Sequence, residues 1–301
     1  MRAKVAGALA VVGVLSGCGA VTTAQQPSPT GPGVLTLDRA TPPASGGEVG
    51  EASTEFADAA DLSMWTKLSQ TEKDVDRLTK YDVNKTAKGS MYLEPNTSAW
   101  FDGFRGPFVY QELAGDILMH ARVKVEGEKG GKPKRKFSLG GLMARQPGSY
   151  ANPNWVSVTT GTGDKSGQVE VKYTKDGSSK PSELPVGDGW VELALGRVGR
   201  AFIALYKEEG GAWKVGRRWP STLPDVLQWG VSASTDWDSY STLKKDAAKG
   251  NAKQVKGRPD LKVTVDFVRF LRPELPEYAD PLNSASVPDD VLIKAMTPAG
   301  A

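Results

Sequence analysis

The side chains able to do covalent chemistry are few in this chain, and their spacing restricts them further. There is one cysteine, Cys18, and one histidine, His120, among 301 residues. Cys18 follows Leu15-Ser16-Gly17 at the end of the apolar run Val5–Leu15. A thiol there is a nucleophile able to carry a covalent modification, and without a second cysteine no disulfide forms within the chain. A single imidazole argues against histidine-based metal sites and against Ser-His or Cys-His nucleophile systems. His120 itself reads as an exposed strand residue. Cleavage of a glycosidic bond needs two carboxyl groups on one face, which alternating positions on one strand would supply. No strand carries such a pair. Glu72-Lys73-Asp74-Val75-Asp76 is the nearest run and reads as a solvated segment. Glu170 and Glu192 stand alone in their strands, and Asp266, alternating with Thr264 and Val268, reads as structural. No catalytic residue is assigned.

Non-covalent recognition has better candidates. Flat rings stack on the C–H faces of sugars, while Arg, Asn and Asp side chains hydrogen-bond hydroxyls. Trp100, Tyr110, Arg145, Tyr150, Asn154, Trp155, Asp236 and Trp237 are the residues of the right type. The polar and aromatic connection between Arg145 and Trp155 strengthens the case, because loops on rigid scaffolds are where binding usually sits. The competing reading is that the tryptophans fill a core, and Trp190 and Trp229 read as core residues. The one cofactor the residues admit is calcium, through Asp236-Trp237-Asp238, but two acids fall short of the six to eight oxygens it takes, so no cofactor is expected. Net charge is +3, from 38 Lys and Arg against 35 Asp and Glu. That balance is no footprint for nucleic acid. The basic run Lys132-Pro133-Lys134-Arg135-Lys136 reads as a solvated loop.

The elements that must position these residues are strands. Ile117 to Val125 alternates strictly, with Ile117, Met119, Ala121, Val123 and Val125 on one face and His120, Arg122 and Lys124 on the other, the period of a half-buried strand. Similar segments occupy 107–113, 137–144, 154–161, 168–174, 190–197, 201–207, 213–219, 226–235 and 261–271. Turn signals separate them, among them Gly163-Asp164, Asp176-Gly177 and Gly210-Gly211. The pattern predicts an all-β, antiparallel sandwich or barrel. Asp58–Tyr81 can be scored as an amphipathic helix, though its apolar spacing is poor, and 244–257 reads as a long surface loop. Residues 19–50, rich in Pro, Gly, Ser and Thr, cannot build a core and read as a flexible tether. Prolines 273, 276, 281, 288 and 298 suggest a mostly irregular tail.

Two resemblances follow. Leu15-Ser16-Gly17-Cys18, preceded by a short basic start and an apolar run too short to span a bilayer, resembles the lipobox of bacterial lipoproteins. That resemblance implies cleavage before Cys18, lipidation of its thiol and anchoring in a lipid bilayer of the bacterial cell envelope. Gly19, where an Asp would retain the protein at the inner membrane, implies the outer membrane in a two-membrane cell. Further on come Asn96-Thr97-Ser98-Ala99-Trp100, Gly106-Pro107-Phe108-Val109-Tyr110, Gly141-Leu142-Met143-Ala144-Arg145, Asn154-Trp155-Val156 and Glu192-Leu193-Ala194-Leu195-Gly196-Arg197-Val198-Gly199. In that order they resemble the concanavalin A-like lectin/glucanase superfamily over residues 56–271. The nearest branch is a bacterial one of unknown function, related to the C-terminal sandwich of some β-xylosidases. The resemblance implies a jelly-roll of two antiparallel sheets, one of them concave. The expected organisation is a signal peptide (1–17), a lipidated cysteine and linker (18–50), a jelly-roll domain (51–272) and a tail (273–301). The expected function is membrane-anchored, non-catalytic binding of a carbohydrate. The alternatives are a glycoside hydrolase or its degenerate relative, and a cell-envelope protein–protein scaffold.

Overall fold

The computed structural model describes residues 47–72, 74–164, 167–243, 246–276 and 278–297. Cys18, the residues before it and most of the expected linker lie outside them. Among the described residues fourteen strands run in chain order: β1 (Thr66–Lys67), β2 (Leu78–Val83), β3 (Met91–Pro95), β4 (Phe108–Ala114), β5 (Leu118–Glu126), β6 (Ser138–Arg145), β7 (Trp155–Thr162), β8 (Gly167–Lys175), β9 (Ser178–Pro185), β10 (Trp190–Val198), β11 (Ala201–Glu208), β12 (Lys214–Pro220), β13 (Val226–Ser234) and β14 (Lys262–Leu271). They form two seven-stranded sheets, with orders β1-β4-β13-β6-β7-β8-β9 and β12-β11-β10-β5-β14-β3-β2. Every pairing is antiparallel. The chain is an all-β, antiparallel two-sheet jelly-roll sandwich, as the alternation predicts.

Alternation decides which side chains enter the core. Met119, Ala121 and Val123 of β5 meet Leu142 and Ala144 of β6, Val156 and Val158 of β7 and Trp229 of β13 between the sheets. The sheets approach closely where glycine permits it: a Cβ on Gly140 would lie 2.6 Å from Cγ2 of Val263 in the opposite sheet. Gly199, at φ +54°, makes the two-residue turn between β10 and β11, a conformation that glycine adopts without steric cost.

Several segments differ from their sequence-based expectations. Asp58–Tyr81 is no amphipathic helix; it breaks into a 3₁₀ turn (Ala59–Met64), β1, a one-turn helix (Leu68–Thr71) and β2. Its poor apolar spacing is the reason. The expected loop after β13 contains a short helix, Ala247–Asn251, whose C-terminal end is tied down by Arg77: Nη2 donates to Asn251 O at 3.2 Å and, just past the helix, to Lys253 O at 3.1 Å. The tail contains the helix Asp289–Met296. Its Leu292 and Met296, with Val287, cover Leu118, Ala194, Ile203, Leu205 and Trp213 on the outer face of the second sheet.

The outer face of this sheet also changes the reading of His120. It is buried, not exposed, at 1% accessibility. Its ring packs edge-on against Trp213 at 5.3 Å and Phe267 at 5.0 Å, and Nε2 lies 2.9 Å from Glu192 Oε2. Glu192 also meets Lys207 Nζ at 2.9 Å. The hydrogen bond from His120, with help from Lys207, holds the Glu192 carboxyl down at about 2. Trp229 is core, as expected. Trp190 is only half-buried and carries the Arg122 guanidinium 4.4 Å from its ring.

Candidate functional site

The outer face of the first sheet divides into a closed half and an open half. The closed half is covered by Leu68, which packs with Trp100, Phe108, Tyr110, Met143 and Trp155. Beside it, Glu72 folds back onto the sheet. Its carboxylate takes both terminal nitrogens of Arg145, at 2.5 and 2.8 Å, and Nη1 of Arg105 at 3.1 Å. Arg145 Nη1 also donates to Gln228 Oε1 at 2.7 Å, and Arg105 Nη2 to Asp74 Oδ1 at 2.8 Å. The acidic run 72–76 is therefore not simply solvated: Glu72 is buried, and burial raises the Asp74 carboxyl above its usual range despite Arg105. Charges this deep are tolerated because each is paired and hydrogen-bonded.

The open half is a cleft of about 420 Å³ at the other end of the same face. Three segments build it. The first is the loop Ser98–Phe104. It is pinned to the end of β13 by the paired backbone bonds of Ser98 and Thr235, at 3.1 and 3.0 Å. It is pinned to β9 by Asp102, whose N–H donates to Ser179 Oγ at 2.6 Å while its Oδ1 accepts from Ser179 N–H at 2.9 Å. The second is Phe137 with Leu139, at the start of β6. The third is Trp237, just past β13. Asp102, Phe137 and Asp236 all have positive φ, at 52°, 52° and 62°. Such conformations cost of order 1–3 kcal/mol each and cluster at ligand clamps.

Three half-buried rings form one wall: Trp237 packs edge-on against Phe101 at 5.4 Å and Phe137 at 6.2 Å. The floor comes from β8 and β9. Glu170 and Lys172 share the outer face by alternation, and Glu170 Oε1 lies 2.5 Å from Lys172 Nζ. Lys172 Nζ also donates to Trp100 O at 2.8 Å and sits 5.8 Å from the Phe101 ring. Glu183, on β9, is directly opposite Glu170 in the antiparallel register and lines the cleft with it. Glu170 is 2% accessible; Glu183 is exposed. Ser98 and Ser234 add hydroxyls. Among the described residues no group of three or more His, Cys, Asp or Glu is arranged to hold a metal ion.

Of the residues singled out in the sequence, Trp100 and Trp237 line this cleft, Trp100 from beneath with Nε1 donating to Pro107 O at 3.1 Å. Tyr110, Arg145 and Trp155 share the sheet face but are buried in the closed half. Arg145 spends its guanidinium on Glu72 and Gln228, and the Tyr110 hydroxyl bonds Thr71 Oγ1 at 3.0 Å. Asp236 is buried too. Its Oδ2 accepts from Thr97 Oγ1 at 3.0 Å and from Arg258 N–H at 2.5 Å, which positions Trp237 beside it. Tyr150 is 51% exposed at the tip of its loop, and Asn154 accepts the Asp176 N–H at 2.8 Å; neither lines the cleft. Phe101, Phe137, Glu170, Lys172 and Glu183 line it without having been candidates. The signal for Glu183 was present: Asp176-Gly177, both at positive φ, is a two-residue hairpin turn that pairs β9 with β8 in fixed register.

No protein-family model matches the chain, and no curated protein does. Solved structures do. A functionally unknown protein from Saccharomyces cerevisiae is 17% identical, with a TM-score of 0.50 over 71% of this chain and 99% of that one. The GH43 BlXynB protein from Bacillus licheniformis is 10% identical, with a TM-score of 0.51 over 74% of this chain. The match spans 39% of the BlXynB chain, well under half its length. At these identities the likeness is one of fold.

Proposed function

We propose that the chain binds a saccharide in the cleft beside Trp237 without cleaving it, and that Cys18 anchors it by lipid in the cell envelope. One observation carries the binding reading: an aromatic wall of Phe101, Phe137 and Trp237 faces a polar floor of Glu170, Lys172 and Ser234 in a space of about 420 Å³. Stacking rings against a sugar's C–H face and placing a few fixed polar groups opposite is how such sites achieve affinity and orientation. The volume lies within the range of small-ligand clefts, roughly 300–1,000 Å³. The likeness to a GH43 protein supports the fold on which this reading stands. The anchoring rests on Leu15-Ser16-Gly17-Cys18 alone.

Glycan-array screening of the chain tests the binding. Specific glycans are retained, and Trp237→Ala loses them while its melting temperature stays close to that of the parent. An array without hits removes the reading. Mass spectrometry of the protein from its native cell tests the anchor: Cys18 is expected to carry lipid, and an unmodified Cys18 refutes it.

Hydrolysis is the second reading, and Glu170 opposite Glu183 is what favours it. Against it, Glu170 is already committed to Lys172, whereas a hydrolase needs one carboxyl as proton donor and one as nucleophile or base. Release of reducing ends from an array hit, lost in both Glu170→Gln and Glu183→Gln, would decide for hydrolysis.

A further inference from the structure

We infer that the cleft is selective for saccharides bearing a free amine, with Glu183 receiving the ammonium. This inference rests on the saccharide reading. Among the described residues, the charges lining the cleft are three carboxylates, Asp102, Glu170 and Glu183, and one ammonium, Lys172, which leaves two negative charges in excess. Glu170 and Lys172 neutralise each other, and Asp102 is partly satisfied by Ser179 N–H. The Glu183 side chain makes no hydrogen bond or ion pair among the described residues. It stands directly across from Glu170, and like charges so placed on neighbouring strands repel. A cation in front of them relieves that repulsion.

The rings point the same way. Aromatic faces are negative and attract ammonium groups. The cleft already holds one in this manner, since Lys172 Nζ lies 5.8 Å from the Phe101 ring. The Ser98 hydroxyl is a separate indication of a polar ligand. The residue lines the cleft at 1% accessibility, and its Oγ has no hydrogen-bond partner among the described residues. Buried polar groups are nearly always paired, and a sugar hydroxyl would supply the partner. A neutral sugar would use the rings and Ser98 but leave the carboxylates facing each other. An acidic sugar would add to the repulsion. A simple alkylammonium would lack both the ring face and the hydroxyls.

Calorimetric titration of the full chain with β-1,4-linked tetramers of glucosamine and of N-acetylglucosamine tests this, at a pH that keeps the amine protonated. The glucosamine tetramer is expected to bind about tenfold more tightly, the scale of one extra charge pair at a partly shielded site. Glu183→Gln should bring the ratio of the two affinities near one, and added salt should shrink it in the parent chain. Glu51→Gln, an exposed carboxylate outside the cleft, should leave the ratio unchanged. Equal affinities, a tighter N-acetylated ligand, or a preference that survives Glu183→Gln overturns the amine inference and leaves saccharide binding standing. Failure to bind either tetramer while other glycans bind overturns it too. Failure to bind any glycan overturns both.

Discussion

The two halves of one sheet face treat the same kinds of residue differently. In the closed half, the carboxylate of Glu72 meets Arg145 and Arg105 from the chain itself, and the segment bearing it lies over Tyr110 and Trp155. In the open half, Glu183 has no such partner among the described residues, and Phe101, Phe137 and Trp237 border open space. A face whose counter-charges are internal is closed and contributes to the fold. A face whose counter-charges are missing is left for something else to complete.

Removing one member of the internal pair should produce the largest effect. Arg145→Ala leaves Glu72 buried beside vacated space, and loss of one partner of a buried pair costs about 3–5 kcal/mol. Denaturant unfolding should show that loss, and a cost under about 1 kcal/mol would mean the closed half is not held by these charges. On the opposite sheet, Glu192 supplies an ionic control. Its folded carboxyl sits at about 2 against an ordinary 4.5, so its contribution is complete above the ordinary value and is lost as pH falls from there toward 2. That shift corresponds to about 2 kcal/mol after discounting for partial solvent contact. Stability against pH should fall less steeply over that window in Glu192→Gln than in the parent.

Trp237→Ala should act on binding more than on stability, because the ring is only half-buried. Saccharide affinity is expected to fall about tenfold or more, the value of a lost ring contact, in a calorimetric titration. Glu183→Gln should be the smallest change in stability, within about 0.5 kcal/mol by thermal unfolding. A large loss there would show that Glu183 is structural and that the two halves are alike after all.

The sandwich was legible because β5, β10 and β13 alternate so cleanly that the inner face can be read by position. β9 was not. It is an edge strand with Pro181 and Pro185 and mostly polar residues, and prolines are confined to such edges because they cannot donate to a ladder. Missing β9 made Glu170 look solitary, when its neighbour in space is Glu183. The run around Glu72 looked solvated for a related reason. Its burial depends on Arg145, 73 residues further along, and no local pattern carries that information. Trp237 was visible as an aromatic beside a turn. Phe137 was not, because its role depends on a left-handed backbone that phenylalanine rarely adopts. The tail helix escaped notice because the surrounding prolines outweighed one short apolar stripe, Val287, Leu292 and Met296.

The most direct measurement is a ¹⁵N-edited spectrum of the indole N–H groups of the chain's eight tryptophans, recorded while a glycan retained on the array is added. Saccharide binding in the cleft requires the Trp237 signal to move in proportion to occupancy while those of the core residue Trp229 and of Trp219 stay in place. Movement confined to Trp190 or Trp213 on the second sheet, with Trp237 unshifted at saturation, would contradict it.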